Sequence, residues 1–242
     1  MATPAQPSFS VERATEPLPV PDSVVAADPI LFFGGSFDPP HRAHATLSFA
    51  AAAARWPGRA PWVVFVPAAR SPHKPDAPAE DRHRVEMLRL ALGEQSRCWI
   101  WEQELADAPL NPGQPSFWAD TWSIARRTFP PRDLAFLIGT DQALSMHRWR
   151  RYQEFWQDAL VMLRAEELTE SDFAARLRTT GAWTSDEIDH WVSRLVRTPV
   201  VDASSTHIRA ALADPTKRNA RIEGLDPGVQ KYILENGLYA LA

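Results

Sequence analysis

Short apolar runs recur along this chain at intervals long enough to hold a helix: residues 30–33, 62–66, 98–101, 134–138 and 160–163. Each is too brief for a buried helix and is rich in branched and aromatic side chains, which is how strands covered on both faces read. Between them, residues 42–55, 81–92, 118–128 and 149–157 have the length and apolar spacing of helices. Strands separated by helical crossovers pair in parallel, because a parallel neighbour cannot be reached through a tight turn. The expected fold class is α/β, doubly wound, with a mainly parallel five- or six-stranded sheet and a helical C-terminal portion. Ligands in such sheets sit beyond the carboxyl ends of the strands.

The last third reads as helical. Phe173 and Leu177 share one helical face in 170–178, as do Ile188, Trp191 and Leu195 in 185–196. Thr184 followed by Glu187 fits a reciprocal cap, and a final helix over 227–236 stops at Gly237. Residues 1–28 carry Pro4, Pro7, Pro17, Pro19 and Pro21 among small polar residues. Such a segment buries too little apolar surface to order itself, so it is expected to be a flexible extension before one α/β domain over 29–242.

A net charge of -4 disfavours a general nucleic-acid binder. The single cysteine, Cys98, excludes an internal disulfide and fits a reducing compartment. Its place in an apolar run makes it a core thiol rather than a nucleophile. No run approaches the roughly 18 to 20 apolar residues of a membrane span, and the N-terminus lacks a signal-peptide layout. The expected compartment is the cytoplasm, without membrane or nucleic-acid partners; oligomeric state is not legible.

The first apolar run ends in Gly34-Gly35-Ser36-Phe37-Asp38-Pro39-Pro40-His41-Arg42-Ala43-His44. Glycines at a strand end let backbone N–H groups approach a bulky anion, the prolines stiffen the turn, and the following helix aims its positive end at the same place. His41 and His44, three apart, share a face of that first turn. Imidazoles beside an anion loop point to polyphosphate chemistry. HxxH also occurs in zinc sites, but no nearby Cys, His or HExxH glutamate completes one, so no protein-held metal is expected.

Other segments carry complementary groups. Ser71-Pro72-His73-Lys74 follows the second run, and Gly139-Thr140-Asp141 follows the fourth. Asp141 can accept from ribose hydroxyls, and Gly139 lets a nucleoside approach closely. Ser204 or Ser205 can cap a helix whose free N–H groups and hydroxyls suit phosphate oxygens, with Arg209 one turn on as a bidentate donor. A capped amphipathic helix with a solvated arginine reads the same way. The dinucleotide fingerprint GxGxxG and the P-loop GxxxxGK[ST] are both absent.

In order, GGSFDPPHxxH, PHK at 72–74, FLIGTD at 136–141, SSTxIR at 204–209 and YIxxNxLY at 232–239 resemble the bacterial nicotinate-nucleotide adenylyltransferase family of the nucleotidyltransferase superfamily. The resemblance spans about 30–239. It implies an enzyme that joins nicotinate mononucleotide to the α-phosphorus of ATP, giving nicotinate adenine dinucleotide and pyrophosphate in NAD biosynthesis, with Mg2+ accompanying the ATP. The same transfer onto nicotinamide mononucleotide, dual specificity and a catalytically silent nucleotide binder remain as alternatives.

The resemblance further implies site roles. His41, His44 and Arg209 become catalytic; Gly34, Gly35, Ser36, Phe37, Gly139, Asp141, Ser204, Ser205 and Thr206 bind ATP; Lys74, Phe117, Trp118 and Trp149 bind the nicotinate nucleotide. One departure stands out. Family members commonly carry Ser-Tyr-Thr where this chain has Ser116-Phe117-Trp118. Two hydroxyls are thereby lost near the pyridine, and Arg148, Arg150 or Arg151 are the nearby groups able to compensate.

Overall fold

A computed structural model describes residues 16–70, 78–130, 132–164 and 168–240. After a one-turn helix α1 (Asp22–Val25), strand β1 (Ile30–Gly35) leads through α2 (Arg42–Arg55) to β2 (Trp62–Pro67). Helix α3 (Asp81–Leu92), β3 (Cys98–Ile100), α4 (Gln103–Asp107) and α5 (Trp118–Thr128) follow, then β4 (Leu134–Gly139), α6 (Thr140–Ser145) and β5 (Ala159–Arg164). Helices α7 (Glu170–Thr180) and α8 (Ser185–Ser193), β6 (Leu195–Thr198), α9 (Ser205–Ala213) and α10 (Pro227–Glu235) complete the described elements.

The strands lie in the order β3-β2-β1-β4-β5-β6 and every pairing is parallel, so the expected doubly wound α/β class holds, with six strands. Alternate side chains of each strand enter opposite layers, as a pleat requires. Ile30, Phe32, Phe136 and Val161 face α5, α7 and α8. Leu31, Phe33, Leu137 and Leu160 face α2 and α3. A smaller apolar cluster joins Met87 of α3 to Ile208, Leu212, Val229 and Ile233, docking α9 and α10 beside the sheet. Most tryptophans serve these layers: Phe32 meets Trp101 and Trp122 edge-on at 5.9 and 5.4 Å.

Three sequence expectations are corrected. Residues 16–28 are not a flexible extension: Val24 is 1% exposed, and the Leu18 N–H donates to Gln103 Oε1 at 2.7 Å. Leu18, Val20, Val24 and Ala27 find apolar surface on the sheet's α5 side, which proline-rich composition does not reveal. The helix expected over 149–157 is instead two short 3-10 turns, Tyr152–Glu154 and Trp156–Asp158. Arg151 sits at φ 53°, which breaks helix propagation, and its side chain is drawn to Asp120 and Glu154 at 3.0 Å each. Leu195 leaves the helical stripe to begin β6, where it pairs with Val161. Cross-strand pairing, a tertiary term, outweighs the local period there.

The Thr184 cap forms in both directions, with Thr184 N–H to Glu187 Oε2 at 2.8 Å and Glu187 N–H to Thr184 Oγ1 at 3.3 Å. Cys98 lies on the edge strand, where burial pushes its thiol pKa up, away from nucleophile character. No described helix is long and apolar enough to cross a membrane.

Candidate active site

Strand order reverses between β1 and β4. Their pairing ends at Phe32 and Phe136, while the strands continue to Gly35 and Gly139 and open a crevice. A cavity of about 970 Å³ occupies it. The glycines there answer to close neighbours. A Cβ on Gly34 would stand 2.8 Å from Trp118 Cζ3, and one on Gly139 would stand 2.6 Å from Asp141 Oδ1.

His41 occupies the N-cap position of α2, and its N–H donates to His44 Nδ1 at 3.0 Å. The two rings stack with centroids 3.8 Å apart. Because Nδ1 accepts, a neutral His44 ring carries its proton on Nε2. That leaves an N–H donor on the ring edge opposite the backbone contact. The arrangement follows from the three-residue spacing: the first helical turn brings one imidazole back over the other's backbone.

The loop leading into α2 is fastened at several points. Arg84 of α3, wholly buried, donates Nη1 to Ser36 O at 2.7 Å and Nη2 to Asp81 Oδ1 at 2.6 Å. Asp38 Oδ1 accepts from the Ala79 N–H at 3.1 Å and from the Tyr239 hydroxyl at 2.6 Å. Burial, then the Asp38 carboxylate, pushes the Tyr239 hydroxyl pKa well above its ordinary range, so it remains a donor. Ser205 Oγ donates to Pro39 O at 2.9 Å, and Arg209 Nη1 to Asp38 O at 2.6 Å. Segments far apart in sequence thus hold one short loop.

Of the residues singled out in the sequence, Gly34, Gly35, Ser36, His41, His44, Phe117, Trp118, Gly139, Asp141, Trp149, Ser204, Ser205 and Thr206 all line this single cavity. Phe37 is not among the lining residues. At φ 48° its ring turns inward, 1% exposed, against Phe33, Phe65 and the His44 ring. Arg209 stands beside the lining rather than in it, with Nη2 3.5 Å from Thr206 Oγ1. Lys74 and His73 lie outside the described residues. Ser204 takes the N-cap position of α9, yet its side chain makes no cap hydrogen bond, contrary to the expected cap.

The sequence reading missed Glu104. This α4 residue lines the cavity and is buried, 7% exposed, with Thr121 donating to its Oε1 at 2.7 Å. Burial raises its pKa to about 7, opposed by hydrogen bonds from Thr121, Ser116 and the Ala69 backbone. Nothing in a local Gln-Glu-Leu stretch signals that position. Arg84 was missed for the same reason: one arginine on an amphipathic helix carries no mark of what it will hold. Beside Glu104, Trp118 stacks on Trp122 at 6.1 Å and leans on Phe136 at 5.2 Å, which makes its ring a fixed wall.

Comparison with known proteins agrees with this geometry. The family model described as cytidylyltransferase-like matches residues 32–211. A Neisseria meningitidis protein named "Probable nicotinate-nucleotide adenylyltransferase" is 31% identical over 210 residues, covering 86% of this chain and 96% of its own. One of the same name from Idiomarina loihiensis is 31% identical over 217 residues, covering 86% and 97%. The fold is shared with a Plasmodium falciparum nicotinic acid mononucleotide adenylyltransferase solved with NaAD, at a TM-score of 0.60 and 16% identity over 87% of this chain and 96% of that one. The chain therefore belongs to the cytidylyltransferase-like family and, within it, to the nicotinate-nucleotide adenylyltransferases.

Proposed function

We propose that the protein transfers the adenylyl group of ATP to nicotinate mononucleotide, releasing pyrophosphate, as a step of NAD biosynthesis. One observation carries this reading: the strand-end glycines, the His41–His44 pair and the Ser204–Thr206 turn line a single cavity at the point where strand order reverses. A triphosphate needs such a set of donors from several directions.

In the reaction, a phosphate oxygen of nicotinate mononucleotide attacks the α-phosphorus. The new P–O bond forms as the bond from that phosphorus to the bridging β-oxygen breaks, and the electron pair leaves on pyrophosphate. A phosphate monoester has a second pKa of about 6 and is mostly dianionic near neutrality, so no general base is required. Catalysis then rests on in-line positioning and on stabilising the charge that grows on the leaving group.

His44 Nε2–H is suited to that second task, with His41 stacked behind it. Ser204, Ser205, Thr206 and Arg209 are assigned to the β- and γ-phosphates; the Ser204 hydroxyl, not used in capping, is available for this. Gly139 and Asp141 are assigned to adenosine, Lys74 to the acceptor phosphate, and Phe117, Trp118 and Trp149 to the pyridine ring. Among the described residues no three His, Cys, Asp or Glu side chains cluster as a metal cage. Magnesium carried by phosphate oxygens and water would neutralise phosphate charge.

The test is pyrophosphate release from Mg-ATP with each pyridine mononucleotide in turn. Turnover with the nicotinate acceptor supports the reading, and its absence overturns it. Faster turnover with the amide would move the assignment to nicotinamide mononucleotide.

A further inference from the structure

Ser116, Phe117, Trp118 and Trp149 line the cavity; the last three are assigned to the pyridine ring under the proposed reaction, and the role inferred for Arg150 rests on that assignment. A nicotinate carboxylate entering there meets largely aromatic walls. A full charge taken out of water into such surroundings is costly unless a counter-charge receives it. Glu104, the buried acid of this wall, cannot be that group.

Among the described residues of the lining, the arginines are Arg148 and Arg150. Arg148 is exposed, with Nε 3.3 Å from His147 Nε2. The adjacent Arg151 is not among the lining residues. Arg150 lines the cavity and, like Arg151, is half-buried, and its guanidinium carbon stands 4.9 Å from the centroid of the Phe117 ring. A cation seated on an aromatic face is held by the ring quadrupole. Its N–H donors stay in the guanidinium plane, so the stack is compatible with a forked bond to a carboxylate. An amide offers one acceptor oxygen and an NH2 group that opposes arginine's donors.

We propose that Arg150, seated on Phe117, selects acceptors bearing a ring carboxylate over their amide counterparts. Phe117 is then a positioning residue: its ring, in place of a hydroxyl-bearing side chain, carries the cation that reads the substrate. An arginine that merely packs on Phe117 would show no preference between acceptors, and this separates the two roles.

The experiment is steady-state kinetics of the full-length protein with nicotinate and nicotinamide mononucleotides, for the unmodified chain, Arg150→Met, Arg150→Lys and Phe117→Leu. Arg150→Met keeps an unbranched apolar stem and removes the charge. It should lower kcat/KM for the nicotinate acceptor roughly 10- to 100-fold, the size of a lost bond to a charged group, with the amide acceptor and the KM for ATP nearly unchanged. Arg150→Lys should recover part of the loss, and Phe117→Leu should reduce the preference for the nicotinate acceptor on top of any loss shared by both acceptors. Equal losses for both acceptors, or an unchanged preference, would overturn the assignment of Arg150 while leaving the proposed reaction standing. No turnover of the nicotinate acceptor by the unmodified protein would remove both.

Discussion

At the scale of the residue, the proposed chemistry is concentrated in two imidazoles whose geometry is set by one backbone contact. His44 Nδ1 is occupied by the His41 N–H, so the side chain presents one defined donor edge. Removing a donor aimed at developing charge typically costs roughly 100- to 1000-fold in rate. His44→Ala should accordingly lower kcat by about 100-fold or more. It should lower thermal stability only modestly, since the ring is half-buried and its cap contact is worth about 1 kcal/mol. Parallel measurement of kcat and melting temperature checks this, and an unchanged kcat would remove His44 from the mechanism. Residue type and spacing made this pair legible in the sequence. The inward turn of the Phe37 ring, only four positions before His41, was not legible, because it depends on a positive φ and on the rings of Phe33 and Phe65 beneath it.

At the scale of the element, the loop proposed to hold phosphate is fastened by side chains from distant elements. Arg84 from α3, Ser205 and Arg209 from α9, and Tyr239 after α10 all close on residues 36–39. Tyr239→Phe removes the 2.6 Å bond to Asp38 and no apolar contact. Losing a bond to a charged acceptor should loosen the loop and raise the KM for ATP roughly 3- to 30-fold, with kcat less affected. An ATP KM equal to that of the unmodified protein would show the C-terminal tether to be dispensable. Regular elements such as α2 and α3 were readable from apolar spacing and length. The 3-10 turns after Trp149 were not, since the left-handed Arg151 that ends the helix is a tertiary choice made with Asp120 and Glu154.

At the scale of the whole molecule, folding buries an acid on α4 that keeps its proton to a higher pH than a free carboxyl does. The Glu104 carboxyl is raised from 4.5 to about 7 in the folded protein. Between those values the native state holds a proton that the unfolded chain has released, so the stability linked to this group is present below about pH 4.5 and lost as pH rises towards 7. The full swing is on the order of 3 kcal/mol. Denaturant unfolding of the unmodified protein and Glu104→Gln at pH 5 and pH 8 measures it. The unmodified chain should lose stability relative to the variant on going to pH 8, and a constant difference would show that Glu104 ionises freely.

The α/β class and the strand-end location of the site follow from sequence alone, because short buried strands joined by helices admit few arrangements. The groups proposed to meet phosphate were legible as well, since each motif is contiguous and its local geometry is nearly dictated. Tertiary structure decided the rest: the place of β6 at the sheet edge, the packing of residues 16–28, the inward turn of Phe37, and the arrival of Arg84, Glu104 and Tyr239 at the site. Those depend on contacts between residues distant in sequence, and no local pattern encodes where a side chain's partner will come from.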